Sequence, residues 1–524
     1  MPRNSDPPTS GQKPSPAELS WGIAALGIVV FGGALNLIFP FVSDQAMALL
    51  GARAIADGGT LYVDYWDNKL PGLIWFYLVA GKLFGFTEQG IRALELIWMT
   101  GFSLVMLVTL RSYVCLRCLA ALAPVAVVGV YYFAAEPFHL TQLEALVALP
   151  IFLSAWLSAA GANKPSLSAK YYFVAGLCAG VTVVFKLVFA PLFVAFWGVV
   201  SLDLLARRRA SPIELLRRLW LPASAGVVTI LAGVAAKFWL DGALDELIWT
   251  AFVYPPQALA TSPPAHYVRL FESLMFFGTY YAVWIGFIAF AGVMWWREER
   301  DLLTSLMFVW LVIGLGLILI QRFSWWQYHF LNLFAPAGIL GVRGMSDLVR
   351  LIARESTSKY ASPVFLSIML AFPLVGSVAV PAGQKVRAYI KIFVTEHQGV
   401  ADFKRTISQD YPGIEHSIRF LADKTALPGP IYVFGDPLYY YLSGRELALP
   451  TTGWAWPYYL PSQWKQLPAQ LDETRPAYIY IDRLNRTLID ERDDEVREFL
   501  ETHYLALLKD HKGVWHILRR EYRR

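Results

Sequence analysis

Acidic residues are concentrated in residues 43–72, a segment that separates two apolar runs of the chain. Its aspartates are Asp44, Asp57, Asp64 and Asp67, and Lys69 follows them directly before the second apolar run. A carboxylate beside a membrane needs a specific role, because burying an unpaired charge is costly. We interpret Asp44 as a catalytic base, and Asp57 and Asp64 as solvated turn residues. A solvated loop with ordinary surface acids is the alternative interpretation of the segment.

The composition is that of a membrane protein. Of the 524 residues, 56% are hydrophobic and only 16% are charged, whereas about 25% are charged in a typical soluble domain. Apolar runs of roughly 20 residues, the length that crosses a bilayer, recur from Trp21 to about Pro381. The net charge of +5 suits cytoplasmic loops rich in Lys and Arg. Because the basic residues form no clustered face, nucleic acid is not expected as a partner.

The run at 70–84 decides the predicted topology, since it is short for a membrane span. If it lies in the interface, most Lys and Arg residues of the loops, including Arg207, Arg208 and Arg209, face the cytoplasm, as the positive-inside rule requires. The segment from Asp44 to Asp57 is predicted to form another interfacial helix in this first outer loop. About eleven spans follow, near residues 21–42, 90–112, 118–136, 142–160, 171–187, 188–206, 219–240, 273–295, 301–321, 326–343 and 361–381.

Three domains are predicted from these changes in composition. Residues 1–19 are rich in Pro and Ser and are expected to form a disordered cytoplasmic tail. Residues 20–381 form the α-helical polytopic membrane domain. Residues 382–524 are expected to form an extracytoplasmic α/β domain, with strands at Ile431–Phe434 and Ala477–Ile481 and a helix at Asp493–Tyr504.

On this topology, polar residues from distant segments converge on the outer face. Glu144 lies one turn inside an apolar helix, where a carboxylate is a functional candidate by default. Lys186 and Arg322 are also candidates, although a snorkelling lysine and an aromatic-belt arginine are simpler interpretations. Four further residues are candidates for substrate binding: Asp67, His139, His266 and His329. The simpler interpretation of His139 and His266 is that they are ordinary interfacial histidines.

The sequence resembles the membrane-embedded C-type glycosyltransferases, in the branch of protein O-mannosyltransferases and the bacterial lipid A aminoarabinose transferase (glycosyltransferase family 39 and its relatives). The resemblance covers residues 20–345. Its matching pieces are SDQAMALLGARAIADGGTLYVDYWDNKLPGLIWFYLVAGKLFG, FHLTQLEAL, GLCAGVTVVFKLVFAPL and RFSWWQYHFLNLFAPAG.

The resemblance implies a C-type glycosyltransferase fold and a polyprenyl-phosphate sugar donor. It assigns Asp44 as the first-loop base and Glu144 as the acid of the second outer loop. It places Lys69, Lys186 and Arg322 near the donor phosphate. The chain departs from the family at two places. Asp44 is followed by Gln45, where the family often has Asp-Glu, and Lys69-Leu70-Pro71 replaces Lys-Pro-Pro or Lys-Pro.

The expected activity is transfer of a hexosyl or pentosyl group to a hydroxyl acceptor of the cell envelope, which is a lipid, a glycan or a protein. A single displacement would invert the anomeric centre. No metal ligand is assigned, and a divalent metal ion stays open as a cofactor. A transporter or flippase, whose intramembrane charges line a translocation path, is the main alternative function. A non-catalytic glycan-binding scaffold is the third.

Overall fold

The computed structural model describes most of the chain: residues 14–114, 117–164, 168–261, 266–297, 300–322, 324–355, 371–454, 459–492 and 494–523. Most of the predicted disordered tail lies outside these residues. The first helix, α1 (Pro16–Asn36), begins and ends a few residues earlier than the span predicted at 21–42. Ser15 explains the start, since its side chain accepts a hydrogen bond from Glu18 N at 3.2 Å and Pro16 occupies the first turn. Pro40, just beyond the end of α1, is incompatible with a helix interior.

The membrane domain is α-helical, as predicted. Among the described residues, eight helices are long and apolar enough to cross a membrane: Pro16–Asn36, Glu88–Ser112, Arg117–Ala134, Leu143–Ala162, Leu187–Ala206, Pro212–Leu240, Tyr267–Arg297 and Leu302–Ile320. The chain is therefore a multi-pass membrane protein.

The count of eleven spans stays a prediction. The predicted span at 171–187 corresponds to the shorter apolar helix Ala169–Phe185, and the span at 326–343 to the helix Phe334–Glu355. Part of the last predicted span falls on 356–370, outside the described residues, and a helix occupies 371–395.

Two short helices fill the loop after α1. Helix α2 (Ser43–Ala56) begins after Val42, which has no polar side chain to cap it. Helix α3 (Pro71–Phe84) begins with a proline, which is favoured in the first turn, and ends at Gly85, whose φ of 94° suits glycine. Both helices have 14 residues, too few to cross about 30 Å of hydrocarbon. Helix α4 (Glu88–Thr109) then starts the next span, capped by Thr87.

The C-terminal part carries a sheet of four strands: β1 (Ile431–Phe434), β2 (Tyr478–Asp482), β3 (Tyr504–Lys509) and β4 (Gly513–Leu518). Their order is β1-β2-β4-β3, with β1 and β2 parallel and the other two pairs antiparallel. The predicted strands at β1 and β2 and the helix at Asp494–His503 are present. The hairpin of β3 and β4 was not predicted.

This sheet domain packs on the loop between α1 and α4 and on the start of α4. Tyr411 donates a hydrogen bond from its hydroxyl to Glu88 Oε1 at 2.7 Å. Trp66 donates its backbone N–H to Pro450 O at 2.9 Å. The C-terminal domain therefore contacts the segment that contains Asp44.

Candidate functional site

Asp44, Asp67, Lys69 and Tyr328 form one group, which we call the Asp44 cluster. Asp44 lies in the first turn of α2. Lys69 Nζ lies 3.2 Å from Asp44 Oδ1 and 3.5 Å from Asp67 Oδ2. The hydroxyl of Tyr328 donates to the other Asp44 oxygen at 3.3 Å. Both oxygens of the predicted base therefore face a hydrogen-bond donor.

Charge balance in the Asp44 cluster keeps Lys69 protonated. Burial by itself lowers the pKa of Lys69, but the carboxylates of Asp44 and Asp67 outweigh it and raise that pKa above its ordinary value. The side chain of Asp67 is only 1% exposed. Burial is the largest effect on this carboxyl and raises its pKa, while Lys69 lowers it. Lys69 is thus a fixed positive charge between two acids.

Glu144, Lys186 and His329 form a second group, which we call the Glu144 cluster. Lys186 Nζ donates to Glu144 Oε1 at 2.8 Å, and His329 Nε2 lies 3.6 Å from the same oxygen. Among the described residues, buried Glu144 Oε2 and His329 Nδ1 have no hydrogen-bond partner. Buried polar atoms are normally satisfied. These two atoms are therefore candidates to contact a substrate.

Lys186 owes its position to a break between two helices. Its backbone is extended, with φ −160° and ψ 113°, between the helix Ala169–Phe185 and the short turn Leu187–Phe189. The sequence prediction also ended one helix and began the next at this point. The break places a lysine in an otherwise apolar stretch.

Two features link the clusters. Tyr328 and His329 are consecutive in the 3₁₀ helix Gln327–Leu333, and each contacts one cluster. Gly72, near the start of α3, packs on the backbone of Phe185, directly before Lys186. A Cβ at Gly72 would lie 2.8 Å from Phe185 Cα, closer than real contacts allow. The two lysines are therefore held on neighbouring segments.

Gln45 explains the departure from the Asp-Glu pattern. Its amide nitrogen donates to Pro137 O at 2.7 Å and to Leu140 O at 2.6 Å. Its amide oxygen accepts from Arg92 Nη2 at 2.9 Å. A glutamate has no hydrogens for the two carbonyls when it is ionised. Gln45 thus ties α2 to the loop that contains Pro137 and Leu140.

Sequence reasoning assigned no role to Tyr328, Gln45 or Arg92. A signal existed for Arg92, since it lies with Glu95 in a mostly apolar helix, at a spacing that puts the two on one face. Their side chains form a buried ion pair with an N–O distance of 3.5 Å. Tyr328 gave no comparable signal, because tyrosines are common at membrane interfaces.

Three predicted residues lie outside both clusters. His139 stacks on Phe276 with ring centroids 4.3 Å apart, and burial lowers its pKa to about 3. His266 is exposed, and its Nδ1 accepts from Arg269 N at 3.2 Å at the start of the helix Tyr267–Arg297. Arg322 is exposed in a turn, and no hydrogen bond or ion pair among the described residues involves it.

Metal ligands were not assigned from the sequence. Within the part of the chain that the structure describes, no group of three or more His, Cys, Asp or Glu residues is arranged to hold a metal ion. Asp44 and Asp67 contact a lysine instead.

Comparison with known proteins identifies the fold. No family model and no curated protein matches the chain. The structure is similar to that of ArnT from Cupriavidus metallidurans bound to undecaprenyl phosphate, with a TM-score of 0.60 and 16% identity over 96% of this chain and 98% of that chain. For ArnT from the same organism in the apo state, the TM-score is 0.61 and the identity 15%, over 97% and 99% of the two chains. The chain therefore has the fold of ArnT over almost its whole length, as the resemblance to C-type glycosyltransferases predicts.

Proposed function

We propose that this protein transfers a sugar from a polyprenyl-phosphate donor to a hydroxyl acceptor. The observation that carries the proposal is the contact of Asp44 with Lys69 at 3.2 Å, in a fold shared with ArnT. ArnT is a lipid A aminoarabinose transferase, and one of its structures contains undecaprenyl phosphate. A base and a fixed cation side by side suit a reaction in which a hydroxyl attacks and a phosphate leaves.

Asp44 is the base in this proposal. One Asp44 oxygen takes the proton from the acceptor hydroxyl as its oxygen attacks the anomeric carbon. The bond between that carbon and the phosphate oxygen breaks in the same step, and polyprenyl phosphate leaves with the electron pair. A single displacement of this kind inverts the anomeric configuration. The side chain of Asp44 is 27% exposed, which leaves an approach for the acceptor.

Lys69 and Lys186 supply positive charge to the leaving phosphate. A lysine has three N–H donors. Lys69 donates one of them to Asp44 and forms an ion pair with Asp67 at 3.5 Å, so that a further N–H is available for a phosphate oxygen. Charge-assisted hydrogen bonds of this type stabilise an anion most strongly in a site with little water. Because the leaving group is already a phosphate, no general acid is needed. Arg322 lies in an exposed turn, and it would contact the phosphate only if the bound donor extends to that turn.

The setting of the reaction follows from the topology predicted above. Residues 20–381 form the domain that spans a bacterial inner membrane. The two clusters and the domain 382–524 lie on its extracytoplasmic side. Polyprenyl-linked sugars presented on that face would be the donors. The acceptor would be a lipid, a glycan or a protein of the cell envelope.

A transfer assay on the purified protein tests this function. The full chain in proteoliposomes is given a panel of hexosyl and pentosyl undecaprenyl phosphates, with an envelope lipid extract as acceptor and with or without EDTA. We expect release of undecaprenyl phosphate with one donor class and none with a nucleotide sugar. Transbilayer movement of every donor without any transfer would favour the flippase and contradict the proposal. Loss of transfer in EDTA would reveal a metal requirement.

A further inference from the structure

We propose that Asp436 of the C-terminal domain is a positioning residue that acts on Asp44 through Ser43. This inference rests on the proposed function, since it assigns to the C-terminal domain a part in the same reaction. Ser43 is the first residue of α2 and directly precedes Asp44. Its hydroxyl donates to Asp436 Oδ2 at 2.7 Å. A residue far along the chain thus contacts the turn that carries the base.

The first turn of α2 has no side-chain cap, and its own side chains tie it down. The N–H groups at the start of a helix lack partners within the helix, and a Ser, Thr, Asp or Asn side chain usually caps them. Val42 stands at that position here and has no polar side chain. Instead, the neighbours of Asp44 on both sides are tied down: Gln45 accepts from Val42 N at 3.1 Å and donates to the second outer loop, and Ser43 contacts Asp436.

Asp436 is itself held rigidly. It follows β1, the strand Ile431–Phe434, and its Oδ1 accepts from Leu438 N at 2.9 Å, at the start of the helix Leu438–Ser443. The charged groups that face it are Asp410 and Lys512, which form an ion pair with each other. One Asp436 oxygen therefore fixes its own domain, and the other fixes Ser43.

Other contacts keep the domain docked without touching Ser43. Tyr441, on the helix Leu438–Ser443, donates its hydroxyl to Glu88 at the start of α4. Lys404 also pairs with Glu88, at 3.2 Å. Loss of the contact between Ser43 and Asp436 should consequently leave the domain in place and change only the orientation of the first turn of α2.

The test is a double-mutant cycle on kcat and on the KM for the donor that is active in the transfer assay. Ser43→Ala and Asp436→Ala should each lower kcat about tenfold, in line with the loss of a hydrogen bond to a charged group. The KM should stay within about twofold, because the proposed phosphate contacts are intact. In the double variant, kcat should be no lower than in the worse single variant, because both changes remove one interaction.

Two further variants separate positioning from folding. Ser43→Thr keeps a hydroxyl and should retain most of the wild-type kcat. Tyr441→Phe removes a docking contact elsewhere on the same domain and should leave kcat unchanged. Wild-type kcat in Ser43→Ala, or multiplied effects in the double variant, would overturn the inference. If Asp436→Ala does not fold, the contrast between Ser43→Ala and Ser43→Thr decides the question. If the wild type transfers no sugar, the proposed function fails instead.

Discussion

The two clusters use similar groups in different surroundings. In each, a carboxylate contacts a lysine, at 3.2 Å for Asp44 and Lys69 and at 2.8 Å for Glu144 and Lys186. The side chain of Asp44 is 27% exposed, whereas that of Glu144 is 3% exposed. A base must be reached by the acceptor hydroxyl. Access, rather than residue type, therefore favours Asp44 as the base.

The hydrogen-bond partners of Asp44 and Glu144 also assign them different roles. Both oxygens of Asp44 face donors from the protein, namely Lys69 and Tyr328. Glu144 Oε2 is buried and has no partner among the described residues. An unsatisfied buried oxygen is costly, and a sugar hydroxyl of the bound donor would satisfy it. We therefore expect the Glu144 cluster to bind the donor and the Asp44 cluster to do the chemistry.

Replacing each acid by its amide should have the largest effect and gives the sharpest contrast. Asp44→Asn keeps the shape but cannot take a proton, so that kcat should fall by about 10²–10⁴. Glu144→Gln keeps Oε1 as an acceptor for Lys186, and we expect mainly a rise in the donor KM, of about tenfold. Initial rates at varied donor concentration measure both. Loss of turnover in Glu144→Gln with a near-normal rate in Asp44→Asn would move the base to Glu144.

Removing Lys69 should have the next largest effect. A charge-assisted contact with phosphate contributes about 1.5–3 kcal/mol, so that kcat/KM for the donor should fall by about 10- to 150-fold in Lys69→Ala. Lys82→Ala is the matched control, since Lys82 is an exposed lysine at the end of α3, and it should keep wild-type kinetics. Equal kcat/KM values for the donor in the two variants would show that Lys69 only forms a structural ion pair.

Much of this contrast could be predicted from the sequence. Charged residues in apolar surroundings are conspicuous, and the prediction included six of the seven members of the two clusters: Asp44, Asp67, Lys69, Glu144, Lys186 and His329. Their pairing could not be predicted, since Glu144 and Lys186 are 42 positions apart and only the fold brings them together.

Local roles explain the candidates that lie elsewhere. His139 stacks in the interior, and His266 accepts a backbone N–H at a helix start. The sequence alone does not distinguish such histidines from substrate ligands. In the C-terminal domain, strand β1 was predicted, but the hairpin of β3 and β4 was not. Strand β3 has consecutive apolar residues at Leu507 and Leu508 and an irregular register there, so that it lacks the alternation by which a strand is recognised.

Separating the clusters slightly should have a smaller effect. Gly72→Ala would put a Cβ 2.8 Å from the Phe185 backbone. Overpacking of this kind destabilises a protein by about 1–3 kcal/mol. The displacement of α3 from the segment before Lys186 should lower kcat about tenfold and lower the melting temperature. Gly101→Ala in α4 is the control, since nothing lies within 4 Å of a Cβ there. Equal kcat in the two variants would show that the spacing of the clusters is not critical.

The last effect is on stability rather than on turnover, and it concerns Asp436, which contacts Ser43 from the C-terminal domain. Burial raises the pKa of Asp436 from 3.8 to about 6. The folded state thus binds this proton more tightly than the unfolded state, so that stability is lost as the pH rises from about 4 to about 6, by about 3 kcal/mol in total.

Asp436→Asn removes this titration, and its amide can still bond with Ser43 and Leu438. Relative to the wild type, the variant should therefore melt higher at pH 7.5, and the difference should shrink towards pH 4.5. Melting curves in detergent at several pH values measure it. A difference that is the same at every pH would show that Asp436 has no raised pKa in the folded protein.

The most direct test of the division between the two clusters is a single-turnover measurement on Asp44→Asn. The variant is loaded with the labelled donor that is active in the transfer assay, mixed with excess acceptor and quenched at successive times, so that product release does not limit the rate. We expect that the variant binds donor as the wild type does and transfers the sugar about 10²–10⁴ times more slowly. Transfer at the wild-type rate in the first turnover would contradict this prediction.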